Sequence, residues 1–543
     1  MENETFDVVV VGYGFGGAIA ALNAAQCGAR TLLIEKSTVP GGISICSYGA
    51  VRSAHDAEQA FQYLKATNDG RTPDDVLRAL AQGMSEIEKY VRELGRVNGA
   101  VIKTSIEENQ AVMADPRSGP YDHEKRPLRR IGGNYPFPGT TTFYHTTAHD
   151  VPGFDARKHY PWANGAPGGP KLFKILEDNL ARQGIEIRLG CAAQRLIAEP
   201  GTREVRGVRV SHNGGGYEIL ARRGVVLASG GFEGNAAMRE QFMEGKPILN
   251  AMAGGNTGDG IRMAQDLGAA LWHMWHIHGA YGFRHSDPAY PYAIRLKRFS
   301  DWFPGDEDSV TLKMPWILLD QDGRRFMSEY QPYTQDTAVR PMQYYDPVKQ
   351  RYPRNPSVMV CDEVGRKLYP LGKATSNEEG LRYDWSADNL REVELGILKR
   401  GNSLRELAQM LGIATDAMEK SVQRWNELCA RGGDEDFGRP RGSMMPISTP
   451  PFYGAPVWAT VTNTQGGPVH DAETRIIDVY GEPIPRLYAA GELGSSFGHL
   501  YMSGGNIVEC FVTGRIAGRN AAQATPVSGL NTVTHHNPSP ISA

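Results

Sequence analysis

Phe6-Asp-Val-Val-Val-Val11 runs straight into Gly12-Tyr-Gly14-Phe-Gly16-Gly17. No other stretch limits the fold as tightly. A short valine-rich run without polar alternation predicts a strand covered on both faces, as in a parallel sheet. A helical pattern follows from Ala18 to Cys27, and a second strand, Thr31 to Ile34, leads to Glu35. In this order Gly12 permits the tight turn, Gly14 lets the backbone approach a pyrophosphate, and Gly17 lets helix and strand pack closely. The pyrophosphate then meets free N–H groups at the helix N-terminus. Glu35 stands where an acid accepts from ribose hydroxyls. An acid there points to FAD or NAD and away from NADP.

Further glycine-bearing stretches continue along the chain. They are Pro40-Gly41-Gly42-Ile-Ser44, Gly168-Gly169 before a helix, Val225 to Phe232, Asn256-Thr-Gly-Asp-Gly260, Gly323-Arg-Arg-Phe326, Thr464-Gln-Gly-Gly467, and Tyr488-Ala-Ala-Gly-Glu492. Ser503-Gly504-Gly505-Asn506-Ile507 then opens a last helix, reaching about Ala522. They belong to a chain rich in glycine throughout, with 63 glycines in 543 residues, where about 7% is usual.

From Asp7 to about Ala522, this set resembles the flavoprotein family of fumarate reductases and succinate dehydrogenases, which also contains the 3-ketosteroid dehydrogenases. The resemblance implies FAD. It implies that the cofactor lies among Gly12, Gly14, Gly16, Gly17, Glu35, Lys36, Gly41, Gly42, Ser44, Ala193, Ser229, Gly230, Asn256, Asp259, Gly491, Glu492, Gly504, Asn506 and Ile507. Covalent members carry a histidine after the Gly-Gly pair. Here that stretch reads Ile-Ser-Ile-Cys-Ser, so the FAD is expected to be non-covalent.

The expected fold class is α/β. A Rossmann-type FAD-binding domain, discontinuous over 1–285 and 449–524, carries an inserted α+β substrate or capping domain over 286–448. Residues 525–543, rich in Pro, Ser, Thr and Asn, read as a disordered tail. Thr72-Pro73-Asp-Asp75 reads as a helix start with Thr72 as cap, and Ser403 to Glu406 as another. Residues 114–167, with Tyr121, Tyr135, Tyr144 and His145, show little periodicity and read as a lid or a packed surface insertion.

Dicarboxylate-reducing members of the family hold an arginine before the last glycine pair. Met502 occupies that place here. Their proton-donating arginine follows the Arg-Phe-x-Asn-Glu stretch. Here Arg325-Phe-Met-Ser-Glu329-Tyr-Gln-Pro-Tyr333 puts tyrosine there, with Tyr330 as a rival. Both departures resemble the ketosteroid branch, with Tyr501-x-Ser503 closest to the Δ4 enzymes, and point to a neutral ketone as substrate. A ketone oxygen that is hydrogen-bonded as enolate charge develops makes the neighbouring C–H acidic. The resemblance implies that Tyr501 and the Gly505 N–H polarise the ketone while Tyr333 with Ser503 handles the proton. The exchanged roles of the two tyrosines stay open.

His273, His276, His278 and His285 lie among Trp272, Trp275 and Tyr281. No metal is expected, because no acid or cysteine completes the set; a wall of the substrate cavity, or plain core, fits the aromatic density. His470 and His499 are candidate substrate contacts. Lys+Arg number 58 against 61 Asp+Glu, so no nucleic-acid partner is expected. No apolar run reaches about 18 residues, so no membrane span is expected. Six scattered cysteines without C-x-x-C fit a reduced, cytoplasmic protein. The expected enzyme forms or reduces a C=C bond beside a ketone, with an unknown or artificial electron acceptor. Two other readings are a reductase of a conjugated acid, with Arg52 or Arg340 as replacement clamp, and a non-redox protein with structural FAD.

Overall fold

Val8, Val9 and Val10 expose nothing, because their strand lies between two parallel neighbours. In this computed structural model, which describes residues 4–114, 131–252 and 254–527, the strand Glu4–Val11 pairs with Thr31–Ile34 on one side and Gly215–Leu227 on the other. The sheet continues to Glu186–Arg188 at one edge and through Pro483–Ala489 to Arg475–Ile477 at the other. Gly215–Leu227 is one long strand. Its first half pairs antiparallel with Val205–His212, and Ile219 to Leu227 pair parallel with the opening strand.

The last helix, Gly505–Gln523, packs on the first, Phe15–Gln26. Glycine makes the approach possible. A Cβ at Gly514 would stand 2.8 Å from the Gly16 carbonyl oxygen, and one at Gly518 would stand 2.2 Å from that of Ala20.

A second sheet is built around the strand Phe452–Val461, which pairs with Ser357–Asp362 and with Tyr281–Arg284. Tyr281–Arg284 pairs in turn with Ala293–Leu296. This sheet therefore draws strands from both sides of the boundaries drawn at 285 and 449. Over it, Leu404–Leu411 begins at Ser403, whose hydroxyl accepts the Glu406 N–H, while Glu406 accepts the Asn402 N–H. Met418, Val422, Trp425 and Leu428 face inward from the helix Thr415–Arg431.

Two expectations change. The helix Asp74–Gly95 starts after Pro73, and the Thr72 hydroxyl accepts no N–H of the first turn but donates to the Ser496 carbonyl. Within the expected lid, Phe143–Asp150 is the central strand of a three-stranded sheet with Ala50–Ala54 and Val101–Thr104. Tyr121, and residues 528–543 of the expected tail, lie outside the described residues. No helix among the described residues is long and apolar enough to cross a membrane.

Candidate active site

A cavity of about 280 Å³ runs along the carboxyl ends of the parallel strands, where open α/β sheets hold their ligands. Gly12, Gly14, Gly16, Glu35, Lys36, Gly42, Ser44, Ala193, Ser229, Gly230, Asn256, Asp259, Gly491 and Glu492 all line it. The turn depends on Gly12 at φ 106°, where a Cβ would press to 2.5 Å from the Ala228 oxygen. Glu35 accepts the Tyr13 and Ser37 N–H groups at 2.8 and 2.9 Å, which fixes its carboxylate at the cavity wall. Lys36 is paired with Asp259 at 2.6 Å. Five expected cofactor residues do not line the cavity. Gly17 packs on Gly12, Gly41 is held by its N–H to the Tyr13 oxygen, and Gly504, Asn506 and Ile507 lie at the start of the last helix.

The cavity fits FAD on its own evidence. Glycine after glycine keeps its walls at backbone distance, and the buried Ser229 hydroxyl has no protein partner. A buried hydroxyl left unpaired costs about 1–3 kcal/mol, which a dinucleotide oxygen would offset. Asn377 and Glu378, from the second sheet's side of the chain, line the same cavity, and sequence reading missed them. Asn377 donates to the Gly42 oxygen at 2.7 Å and Glu378 accepts the Gly254 N–H at 2.9 Å.

Tyr333 and Tyr501 stack near-parallel, with ring centroids 6.1 Å apart and planes 24° apart. Both are buried. Tyr330 turns away, donating to the Ser300 oxygen at 2.7 Å. Tyr333 sits just ahead of a short helix, Thr334–Thr337, whose Asp336 accepts the Tyr501 N–H at 3.1 Å and the Tyr135 hydroxyl at 2.5 Å. One buried carboxylate thus locks three segments around the pair.

The partner of Tyr333 is His278, not Ser503. The Tyr333 hydroxyl and His278 Nε2 are 3.0 Å apart. His278 Nδ1 faces Asn463 Oδ1 at 2.8 Å, and Asn463 donates to Asn506 Oδ1 at 2.8 Å. With Nδ1 donating to that oxygen, Nε2 is left as an acceptor for the phenol. Burial is the main reason the imidazole stays neutral, with its pKa lowered to about 3; Arg298 and Arg295 push the same way, against Asn463 and Asp336.

Two proposed roles change at the last glycine pair. The Gly505 N–H donates to the Met502 oxygen at 2.9 Å, closing a turn through Gly504 at φ 79°, so it is taken. Glycine is needed at 505 because a Cβ there would strike the Phe497 ring at 2.6 Å and the Tyr501 ring at 3.0 Å. It is the Asn506 N–H that reaches the Tyr501 hydroxyl, at 3.0 Å. Ser503 contributes main chain: its N–H donates to Asn134 Oδ1 at 2.8 Å and its oxygen accepts Arg52 Nε at 2.7 Å.

The replacement clamp is not found where it was sought. Arg52, fully buried, also donates to the Gly132 oxygen at 2.9 Å, and Arg340 donates to the His499 oxygen at 2.5 Å. His273 and His276 bind the Ser495 and Phe497 oxygens, and His470 the Asp471 oxygen. Among the described residues no group of three His, Cys, Asp or Glu is placed to hold a metal.

The family model described as an FAD binding domain, FAD_binding_2, matches residues 7–508. The chain belongs to this FAD-binding family. The chain is 27% identical to the 4-oxocyclohexanecarboxylate 2-dehydrogenase of Sinomonas cyclohexanicum, over 95% of this chain and 93% of that one. It is 27% identical to a 3-oxosteroid 1-dehydrogenase of Mycobacterium tuberculosis, over 96% and 99%. Among solved structures, 3-ketosteroid delta1-dehydrogenase from Sterolibacterium denitrificans shares the family's fold, with a TM-score of 0.76 at 23% identity, over 96% and 100% of the two chains. FAD is accordingly the cofactor of this chain, as its glycine turns imply.

Proposed function

We propose that the protein is an FAD-dependent dehydrogenase acting on a CH–CH bond beside a ketone of a cyclic substrate. The observation that carries this reading is the pairing of Tyr333 with His278 in a buried site where Tyr501 stacks alongside. Relatives named as dehydrogenases of an oxo-cyclohexane acid and of oxosteroids support it.

Bound FAD would supply the hydride acceptor. The residues that line the cavity, from Gly12 to Glu492, would hold it. Tyr501 and Tyr333 then divide the remaining work by their partners. Tyr501 already accepts the Asn506 N–H, so its own O–H is free to donate to the ketone oxygen as charge grows there. Tyr333 has an acceptor for its proton in His278 Nε2. As the phenol oxygen takes the α-proton, its own proton passes to the imidazole. In the opposite direction the same phenol returns a proton to carbon. Burial raises both phenol pKa values, which keeps both protonated until a substrate arrives.

The test is anaerobic. FAD-loaded protein mixed with a saturated cyclic ketone should lose its yellow colour, with formation of the enone. A protein that keeps its colour with cyclic ketones, yet is reoxidised by unsaturated acids once reduced, contradicts the reading. So does Tyr501→Phe with undiminished turnover.

A further inference from the structure

Arg295 lies on the strand Ala293–Leu296, whose neighbours Ile294 and Leu296 point into the core. Its side chain alternates to the opposite face of the strand. There it donates to Thr462 Oγ1 and Thr375 Oγ1, both at 3.3 Å. Thr462 donates its N–H to the His278 oxygen at 2.7 Å and precedes Asn463, so Arg295 stands one residue from the proton-handling group. Among the described residues no carboxylate lies within 4.0 Å of it. A mostly buried guanidinium with only two hydroxyl partners is a cation without its anion.

The surroundings add positive charge. Arg298 lies 5.1 Å from the Tyr48 ring and 6.0 Å from the Tyr333 ring, so it stands between a half-exposed phenol and the buried one. Lys373 pairs across the strand from Arg295 and lies 5.6 Å from the same Tyr48 ring. The acid that answers Arg298 is Asp301, at 3.4 Å, and Asp301 also accepts from Asn134. Of the three cations only Arg298 is paired with a carboxylate among the described residues. Although desolvation opposes it, the field of Arg298, Lys373 and Arg295 lowers the Tyr48 phenol pKa. Tyr48 is 49% exposed, so this field opens to solvent.

We propose that Arg295, with Arg298, forms an anion subsite that binds a carboxylate on the substrate, making the substrate an oxo acid and not a neutral ketone. This rests on the dehydrogenase reading and narrows it. The arginines missing at 333 and 502 are answered from another strand. A guanidinium fits a carboxylate with two parallel N–H donors, and a substrate anchored there would present its ketone to Tyr501.

The test compares an acid with its ester on the FAD-loaded protein. Unreactive 4-hydroxybenzoate and its methyl ester are titrated against the oxidised flavin spectrum; 4-oxocyclohexanecarboxylate and its methyl ester are tested for bleaching. The acid should bind at least about tenfold tighter than the ester, and added salt should weaken only the acid. In Arg295→Gln the acid-over-ester preference should collapse; Arg295→Lys should keep part of it. Equal binding of acid and ester by the wild type, readable without any variant, overturns the subsite. Equal weakening of both by Arg295→Gln does the same. Arginine-dependent acid binding without bleaching by the oxo acid supports the subsite and contradicts the dehydrogenase reading. Bleaching by acid and ester alike supports the dehydrogenase and overturns the subsite.

Discussion

The Tyr333 hydroxyl meets His278 Nε2 at 3.0 Å, with both residues buried. A phenol bonded to an uncharged imidazole can pass on its proton as it takes another, and the cation so formed lies on His278, whose other ring nitrogen faces Asn463. That contact is the basis of the first two predictions.

Tyr333→Phe keeps the ring and removes the oxygen. Flavin reduction by a saturated cyclic ketone should slow by about 10²- to 10⁴-fold, the usual worth of a positioned acid or base, while bound FAD per chain stays unchanged. Rapid mixing under anaerobic conditions, with the flavin absorbance as readout, checks both halves.

His278 and His273 are held neutral, chiefly by burial, with pKa values lowered to about 3 and about 4 from an ordinary 6.5. Unfolded chains take up these protons as pH falls below about 6.5, and the folded protein does not until much lower. Their contribution to stability is thus whole above about 6.5 and is lost as pH falls toward 3–4. Melting temperature should drop between pH 7 and pH 5, and His278→Gln should make that drop shallower.

Glu509 titrates with the opposite sign. Burial raises its pKa from 4.5 to about 7, against the opposing bonds of Ser496 and Ser495. The folded protein keeps this proton longer than the unfolded chain does. The stability it brings is present below pH 4.5 and lost as pH rises through 7. Glu509→Gln, which imitates the protonated acid, should melt above the wild type at pH 8.5 and level with it at pH 5.

Arg52 holds the Ser503 and Gly132 oxygens, so its loss should cost stability. Arg52→Met should lower unfolding free energy by about 3 kcal/mol, since buried carbonyls lose charged donors. Lysine should restore little, because one ammonium cannot reproduce the fork of two donors. Denaturant unfolding of the two variants checks this.

The dinucleotide end of the molecule was legible because its chemistry is carried by backbone. Gly12, Gly14 and Glu35 stand close together in sequence, and their spacing implies their contacts. The substrate end was less so. Tyr333 and Tyr501 were found from their places beside family motifs. His278 was read as cavity wall or core, because nothing in a sequence shows that residues 278, 333 and 463 converge. Ser503 and Gly505 misled for a related reason. A tight turn consumes the Gly505 N–H and leaves Ser503 to serve through its main chain. Arg295 gave no signal at all, since one arginine in an ordinary strand resembles any solvated charge.

The close seating of the last helix on the first sets an order of events in synthesis. Residues 505–523 cover the helix that opens the nucleotide turn, with the Gly518 backbone against the Ala20 carbonyl. The nucleotide turn is translated well before its covering surface, with residues 27–504 between the two helices. Until residues 505–523 emerge, the nascent turn faces solvent, or a chaperone, on that side. FAD capture should therefore wait for that helix, and a chain cut before residue 505 should neither retain the cofactor nor resist proteolysis.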